Sequence, residues 1–132
     1  MNSIDSFDIY HLNNIGSGVV ISQDLISLGK YGAGDTTLGD LLCGQLSSDR
    51  PDGLFPTIVT DEQGIALGLC YSSKESLNEA IRLGLGVYWS RKRGLWIKGE
   101  TSGATQELVS ISLDCDRDTL RFAVRQQNPG KC

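Results

Sequence analysis

Residues 56–84 read PTIVTDEQGIALGLCYSSKESLNEAIRLG, and this stretch decides the fold class of the chain. Pro56–Thr60 and Ile65–Tyr71 are rich in apolar and β-branched residues, and a short polar segment ending in Gly64 separates them. Two such runs around a glycine-containing turn predict a β-hairpin.

A helix is predicted directly after this hairpin. Ser72, with Glu75 three residues later, has the spacing of a capping box, so we expect the helix to begin at Ser72. Gly84 is a typical residue for the C-terminal end of a helix. The apolar face between these two ends consists of Leu77, Ala80 and Ile81.

Four further strands are predicted downstream. Val87–Ser90 and Leu95–Lys98 flank the basic turn Arg91–Gly94, and the loop Gly99–Gly103 follows. The apolar members of the last two strands are Leu108, Val109, Ile111 and Leu113, and then Leu120, Phe122 and Val124. The order β-β-α-β-β-β-β with hairpin-length connections predicts an α+β fold, mostly antiparallel β with one main helix packed against the strands.

Residues 1–50 differ in character from the rest of the chain. Most of this segment is rich in Gly, Ser and Asn without a sustained period, although Asp35–Thr37 are expected to cap a short helix. The apolar face of that helix would carry Leu38, Leu41 and Leu42. Pro51 prevents the helix from continuing. We therefore predict an upstream segment of unassigned function over residues 1–50 and one domain over residues 51–132.

Composition excludes several classes of function. The chain has 132 residues, enough for one domain, and a net charge of −4. A net negative charge argues against general binding to nucleic acid or to anionic membranes. No apolar run has the length of a membrane span, and no secretion signal begins the chain. We expect a soluble, cytoplasmic protein with neither nucleic acid nor membrane as a partner.

The cysteines are spaced widely and irregularly, which does not favour a disulfide framework. Cys43 and Cys70 adjoin leucines and are interpreted as small buried hydrophobic residues. Cys115 and Cys132 do not match zinc-finger spacing, and two thiolates are too few for a catalytic zinc, which usually takes three protein ligands. His11, the only histidine, is interpreted as a surface residue.

The segment Asp114–Asp118 places three carboxylates and one thiol in succession. Carboxylates suit Mg²⁺, Ca²⁺ or Mn²⁺, whereas a thiolate suits Zn²⁺. If the preceding strand continues, the carboxylates face one side and Cys115 the other. If the chain turns at Asp116-Arg117, the carboxylates line a hairpin tip. Either geometry can bind a hard cation, and an acidic tip solvated by water is an equally open interpretation.

A basic and aromatic segment lies between Tyr88 and Gly103. It contains Arg91, Lys92, Arg93 and Lys98 together with Trp89 and Trp96. Cationic side chains, with the hydroxyls and backbone N–H groups of the loop Gly99–Gly103, suit a phosphate group, and the tryptophans could stack on a base. A charged hairpin loop with its tryptophans in the core is the alternative interpretation.

Four motifs together closely resemble those of the phosphoribosyl-AMP cyclohydrolase family. They are Asp52-Gly53-Leu54, Tyr88-Trp89-Ser90-Arg91, Trp96-Ile97-Lys98-Gly99-Glu100-Thr101-Ser102-Gly103 and Asp114-Cys115-Asp116-Arg117-Asp118. The resemblance covers about residues 50–132. Ala66–Leu69 and Tyr71–Ser76 look like the fungal version, in which this domain is the first activity of a trifunctional histidine-biosynthesis protein.

The resemblance implies a reaction and a set of metals. Such an enzyme opens the adenine ring of phosphoribosyl-AMP between N1 and C6, the third step of histidine biosynthesis, with hydroxide activated by zinc. It implies an intertwined homodimer with shared metal sites. The Mg²⁺ ligands would be Asp114, Asp116 and Asp118, and the Zn²⁺ ligands Cys115 and Cys132. The substrate-binding residues would be Trp89, Ser90, Arg91, Arg93, Lys98, Thr101, Ser102 and Gly103. No catalytic acid or base is assigned.

One departure from the family pattern qualifies this expectation. In the family a histidine and a third cysteine follow the second zinc cysteine, whereas this sequence ends at Cys132. We therefore expect a chain truncated at its C-terminus. A metal-stabilised module that binds a phosphorylated ligand, or a catalytically inactive fragment, remains as an alternative to an active hydrolase.

Overall fold

The computed structural model describes residues 20–23, 26, 38–114 and 116–127. Within these residues, seven strands and two helices have defined bounds. In chain order they are β1 (Val20–Ile21), α1 (Leu38–Gln45), β2 (Phe55–Thr60), β3 (Ala66–Ser72), α2 (Lys74–Leu83), β4 (Val87–Ser90), β5 (Gly94–Ile97), β6 (Gln106–Leu113) and β7 (Leu120–Gln126). No described helix combines the length and apolar composition needed to cross a membrane.

The strands form two sheets. The larger has the order β1-β6-β7-β2-β3, and the smaller is the hairpin β4-β5. All pairs are antiparallel except β2 and β7, whose parallel register places Thr57 opposite Leu120. The predicted α+β class with mostly antiparallel strands is confirmed. The parallel pair was not predicted, because it joins strands separated by a long crossover rather than by a hairpin.

The N-cap of helix α2 lies one residue later than predicted. Ser73 is the N-cap: its Oγ accepts from the Ser76 N–H, and its own N–H donates to Ser76 Oγ, both at 2.9 Å. The prediction of a capping box between Ser72 and Glu75 is wrong. Ser72 belongs to β3, and its buried hydroxyl lies 2.6 Å from Thr57 Oγ1, so it is already engaged within the sheet.

The predictions of the C-terminal end of α2 and of its buried face are confirmed. Gly84 has φ 69°, and its N–H donates to the Ala80 carbonyl at 2.7 Å. A glycine tolerates this left-handed conformation without the steric cost that a side chain would bring. Leu77, Ala80 and Ile81 are buried as predicted.

One hydrophobic core collects side chains from both parts of the chain. It includes Ile21, Leu38 and Leu42 together with Phe55, Leu77, Tyr88, Ile111, Leu120 and Phe122. The short helix predicted at Leu38 is therefore confirmed, while its predicted cap at Asp35–Thr37 lies outside the described residues. The boundary at Arg50-Pro51 stays a prediction, although residues on both sides of it share this core.

The edge of the large sheet carries apolar side chains in solvent. Strand β3 pairs only with β2 among the described strands. Ile65 is 63% exposed, Leu67 47% and Leu69 64%. Ile58 on β2, which is 42% exposed, is the register partner of Leu69, so the two side chains share one face of the sheet. We call Ile58, Ile65, Leu67 and Leu69 the apolar edge.

Candidate functional site

The acidic segment forms the tip of the β6-β7 hairpin. Strand β6 ends at Leu113, and the Arg117 N–H donates to the Asp114 carbonyl at 3.1 Å. Arg117 has φ 60°, a left-handed conformation that suits a tight turn. Asp114 Oδ1 accepts from the N–H groups of Asp118 and Thr119 at 3.1 and 3.3 Å. Of the two predicted geometries, the structure therefore has the turn.

The turn brings the three carboxylates together. One oxygen from each of Asp114, Asp116 and Asp118 lies within 4.8 Å of the others. A hydrogen bond to Asp114, partial desolvation and the Asp114 charge, in that order, raise the pKa of Asp118 above its usual value. Three clustered oxygen donors whose ionised forms repel one another have the chemistry that suits a hard divalent cation.

The predicted zinc ligands Cys115 and Cys132, and also His11, lie outside the described residues. The two remaining cysteines are free thiols. Burial raises the pKa of Cys43 to about 11, against the opposing effect of Lys74. Burial also raises the pKa of the half-buried Cys70. A raised pKa disfavours the thiolate that zinc requires. Cys43 is buried as predicted, whereas Cys70 is only half-buried against the core.

The basic turn between β4 and β5 holds its cations in fixed places. Ser90 Oγ accepts from the N–H groups of Lys92 and Arg93 at 3.2 and 3.1 Å, which ties the turn to its own strand. The Arg91 guanidinium lies 5.2 Å from the ring centroid of Tyr71. That of Arg93 lies 5.3 Å from the ring centroid of Trp96. Each arginine is therefore oriented by an aromatic ring.

Two cavities adjoin this hairpin, and Trp96 lines both. The aromatic cavity has a volume of about 410 Å³ and is lined by Leu69, Cys70, Tyr71, Tyr88, Trp89, Ser90, Arg91, Lys92 and Trp96. The hydroxyl cavity has a volume of about 400 Å³ and is lined by Arg93, Leu95, Trp96, Ile97, Lys98, Gly99, Glu100, Thr101 and Ser102. Apart from Gly103, the predicted substrate-binding residues are thus divided between two neighbouring cavities.

The loop beside the hydroxyl cavity is closed on itself. The Gly103 N–H donates to the Gly99 carbonyl at 2.8 Å, so it is not offered to a phosphate as the sequence suggested. Gly103 lines neither cavity. Gly99 has φ 80°, and a Cβ at this position would overlap the backbone of Ala104. The close approach of the two chain segments therefore requires glycine there.

A buried polar network supports both hairpins, and sequence reasoning missed it. The Tyr88 hydroxyl donates to Gln106 Oε1 at 2.6 Å. Gln106 Nε2 donates to Gln126 Oε1 at 3.2 Å, and Gln126 Nε2 donates to the Ala104 carbonyl at 2.9 Å. Burial raises the pKa of Tyr88 far above its usual value, so its hydroxyl stays a donor. Its partners are distant in sequence, and no local pattern indicates them.

Sequence reasoning also missed the role of Tyr71 and its surroundings. The Arg50 guanidinium lies 4.6 Å from the Tyr71 ring centroid and makes two hydrogen bonds to Asp52, at 3.0 and 2.8 Å. The hydrogen bond from Arg50, with further help from the Leu54 N–H and the charges of Arg50 and Arg91, lowers the pKa of Asp52 to about 2. The motif Asp52-Gly53-Leu54 thereby lies next to the aromatic cavity.

Comparison with known proteins agrees with the motifs. Residues 68–132 match the family model described as phosphoribosyl-AMP cyclohydrolase. The Histidine biosynthesis trifunctional protein of Neurospora crassa is 62% identical over 95 residues, which cover 72% of this chain and 11% of that protein. The Histidine biosynthesis bifunctional protein his7 of Schizosaccharomyces pombe is 57% identical over 96 residues, covering 73% of this chain and 23% of that protein.

A bacterial relative is shorter. The Phosphoribosyl-AMP cyclohydrolase of Thioalkalivibrio sulfidiphilus is 48% identical over 85 residues, which cover 63% of this chain and 65% of that protein. The chain therefore spans a small fraction of its fungal relatives and about two thirds of this bacterial one.

Proposed function

Since residues 68–132 belong to the phosphoribosyl-AMP cyclohydrolase family, as the motif resemblance predicted, we propose that this chain performs the hydrolysis of phosphoribosyl-AMP. Water would add across the bond between C6 and N1 of the adenine ring. Its oxygen would remain on C6 as part of a carboxamide and a hydrogen would go to N1. In this proposal the reaction is the third step of histidine biosynthesis.

The acidic tip supports a magnesium site in this proposal. The carboxylates of Asp114, Asp116 and Asp118 converge within 4.8 Å and are open to solvent on a hairpin tip. Mg²⁺ is usually held in proteins by one or two carboxylates plus substrate phosphates and waters. We propose that these residues hold Mg²⁺ and that the bound cation offsets negative charge on the substrate.

The zinc site is proposed from the family motif alone. Cys115 follows Asp114 directly, so a ligand at this position would lie next to the acidic tip. When bound, zinc would supply a nucleophile at neutral pH by lowering the pKa of water from 15.7 to about 7. We propose Cys115 and Cys132 as two of its ligands, and a third protein ligand is needed to complete the site.

The basic hairpin supports binding of the substrate's phosphate and sugar groups. Arg91, Arg93 and Lys98 line the two cavities together with the hydroxyls of Thr101 and Ser102. Guanidinium, ammonium and hydroxyl donors are the groups that bind phosphate in charge-assisted hydrogen bonds. Trp89 lines the aromatic cavity and offers a surface for a ring.

The apolar edge supports a homodimer. A strand edge with exposed large apolar side chains is a surface that proteins ordinarily cover by a partner. Ile58 of this edge also lines a cavity of about 200 Å³ with Asp114 and Thr119. A second copy that covers the apolar edge would therefore approach the acidic tip. This placement supports the proposal that the metal sites are shared between subunits.

The observation that carries the proposal is that three carboxylates converge within the residues that match the family model. Ring opening should be assayed with the purified protein before and after treatment with a chelator. We expect chelation to abolish turnover and added metal to restore it. Turnover that persists without metal would contradict the proposed metal dependence.

A substitution separates the hydrolase from a module that only binds its ligand. Cys115→Ser removes one proposed zinc ligand. A hydrolase should lose turnover while it still binds phosphoribosyl-AMP. A wild-type protein that binds the nucleotide with no turnover at any metal concentration would instead be a binding module or an inactive fragment.

A further inference from the structure

The turn that carries the acidic tip is bound to the end of α1, far upstream in the sequence. Arg117 Nη1 donates to Gln45 Oε1, across 72 positions of the chain. The Arg117 carbonyl accepts from the Ser47 N–H at 2.9 Å. This turn residue is therefore held through its side chain and through its main chain by the two residues that flank Leu46.

Arg117 is also the residue of the tip whose backbone needs such support. Its φ of 60° is the only positive value at a non-glycine residue in the described part of the chain. The left-handed conformation is unfavourable for an L-residue, because its Cβ comes close to a backbone carbonyl oxygen. A residue keeps this conformation where surrounding contacts stabilise it, and the hydrogen bonds from Gln45 and Ser47 are such contacts.

The conformation of Arg117 bears directly on the carboxylates of the tip. Arg117 lies between Asp116 and Asp118, so its backbone angles set the directions of those two side chains relative to each other. The three carboxylates of the tip have oxygens within 4.8 Å of one another although their charges repel. A turn that is held from outside keeps them together before a cation arrives, which is preorganisation of a binding site.

The helix that holds the turn is itself fixed by packing. Leu38 and Leu42 of α1 are fully buried in the core, and Leu46 packs against it. Gly39 approaches α2 so closely that a Cβ there would overlap the side chain of Asn78. The end of α1 is therefore a firm support for the hairpin tip.

These contacts come from outside the part of the chain that matches the family model. Gln45 and Ser47 precede residues 68–132, which contain the whole acidic tip. They lie within residues 1–50, the segment for which the sequence indicates no function. The structure thus brings this upstream segment to the metal-binding turn of the matched region.

We propose that Gln45 and Ser47 are positioning residues for the acidic tip: they hold the Arg117 turn in the shape in which its three carboxylates take up a divalent cation. The inference rests on the magnesium site of the proposed function. It gives the upstream segment a role in metal affinity without contact to the cation.

The test measures metal affinity and the motion of the turn separately. Gln45→Met removes the acceptor but keeps the length and the zero charge of the side chain, so the net charge near the tip stays the same. Dissociation constants for Mg²⁺ are measured by calorimetry on the full chain stripped of metal, below the thermal midpoint of each variant. Hydrogen exchange of the metal-free proteins reports on the turn through the N–H groups of Asp118 and Thr119, which donate to Asp114.

A matched control makes the same replacement elsewhere. Gln63→Met changes an exposed glutamine in the turn after β2. Because β2 and β7 run parallel and β7 begins at the acidic tip, this turn lies at the far end of the pair from the tip.

We expect Gln45→Met to weaken Mg²⁺ binding about fivefold, the effect of one net hydrogen bond, and to accelerate exchange at the Asp118 and Thr119 N–H groups. Gln63→Met should change neither quantity. Gln45→Glu retains an acceptor for Arg117 and should keep the exchange slow, a rescue that a general role of this position in helix stability would not produce.

A double-substitution cycle shows whether Gln45 acts through Arg117. In the Arg117→Met background, Gln45→Met should have no further effect on Mg²⁺ affinity, because the contact is already lost. Ser47→Pro removes the donor of the second contact. It should weaken Mg²⁺ binding in both backgrounds, since the carbonyl of residue 117 is present in each.

The inference and the magnesium site fail by different results. Unchanged Mg²⁺ affinity in either Gln45→Met or Ser47→Pro, weaker affinity with unchanged exchange, or an equal loss in Gln63→Met would overturn the inference and leave the site intact. The same holds if Gln45→Met weakens binding equally in the Arg117→Met background. If the wild-type protein does not bind Mg²⁺, or if Asp118→Asn binds it as tightly as the wild type, the proposed site fails and the inference fails with it.

Discussion

The guanidinium of Arg93 lies 5.3 Å from the ring centroid of Trp96, the side chain that forms the common wall of the aromatic and hydroxyl cavities. Trp96 also packs at 6.2 Å from Tyr88, so the wall is anchored in the core. A charged group that lines the hydroxyl cavity is thus positioned by the same residue that separates the two cavities.

Replacement of Trp96 should therefore change ligand binding more than turnover. We expect Trp96→Leu to raise KM for phosphoribosyl-AMP by about tenfold or more, since loss of an aromatic platform costs about 1–3 kcal/mol per stacked group. Trp96→Phe keeps a ring and should recover most of the affinity. An unchanged KM in Trp96→Leu, with the thermal midpoint measured in parallel, would contradict this role.

The protonation of Asp118 should link the stability of the protein to pH and to metal binding at the acidic tip. Its pKa is raised in the folded chain, so the folded state retains its proton more strongly than the unfolded state. Stability of the metal-free protein should then decrease as pH rises through the interval above the ordinary aspartate pKa. A bound divalent cation should offset this loss, because it favours the ionised carboxylates.

Asp118→Asn tests this linkage at neutral pH. The metal-free variant should have a higher Tm than the wild-type protein, because one repelling charge is gone. It should also lose the rise in Tm that Mg²⁺ produces in the wild-type protein. Glu75→Gln, an exposed carboxylate change on α2, serves as the control. If Mg²⁺ raised the Tm of Asp118→Asn as much as that of the wild type, the proposed site would be wrong.

The role of Gly99 in the closed loop can be tested against Gly53 as a matched control position. Both have positive φ, 80° and 71°, but a Cβ at Gly99 would overlap the Ala104 backbone whereas one at Gly53 meets nothing within 4 Å. Gly53→Ala should cost only the backbone strain, about 1 kcal/mol. Gly99→Ala should cost clearly more in urea unfolding and should weaken phosphate binding in the adjoining hydroxyl cavity. Equal costs at the two positions would show that the close approach does not restrict the loop.

The buried hydroxyl of Tyr88 should contribute measurably to stability. Tyr88→Phe leaves Gln106 Oε1 without its donor, and an unsatisfied buried acceptor costs about 1–3 kcal/mol. Urea unfolding should show this decrease with little change in the slope of the transition. A decrease below about 0.3 kcal/mol would mean that another donor replaces the hydroxyl.

The apolar edge should control the oligomeric state. Ile65→Glu places a charge on this surface and should shift the protein from dimer to monomer in sedimentation measurements, because a buried unpaired charge is costly. Gln63→Glu adds the same charge in the neighbouring turn without removing apolar surface. A dimer that persists in Ile65→Glu, or dissociates equally in Gln63→Glu, would exclude this edge as the interface.

Much of the fold could be predicted because its signals are local. Alternating apolar residues mark β2 and β7, and the helical spacing of Leu77 and Ile81 marks α2. The parallel pairing of β2 with β7 could not be predicted, since register between distant strands depends on the whole core. The shift of the helix cap from Ser72 to Ser73 has the same origin, because Thr57 engages the earlier hydroxyl.

The features of the candidate site likewise separate into those with a local sequence signal and those that depend on distant residues. The acidic tip and the basic turn were found because their residues are neighbours in sequence. The contributions of Tyr71 and Gln106 were missed because each acts through a partner that is remote along the chain: Arg91 stacks on Tyr71, and Tyr88 donates to Gln106. Local patterns carry no signal for such contacts.

The most direct measurement is the conversion of phosphoribosyl-AMP by the purified, metal-loaded protein in isotopically labelled water, followed by mass spectrometry. Our account predicts a product one water molecule heavier than the substrate, with one labelled oxygen on the carboxamide carbon, and no such product after chelation. Recovery of unchanged nucleotide from the metal-loaded protein, or formation of the same product without metal, would contradict it.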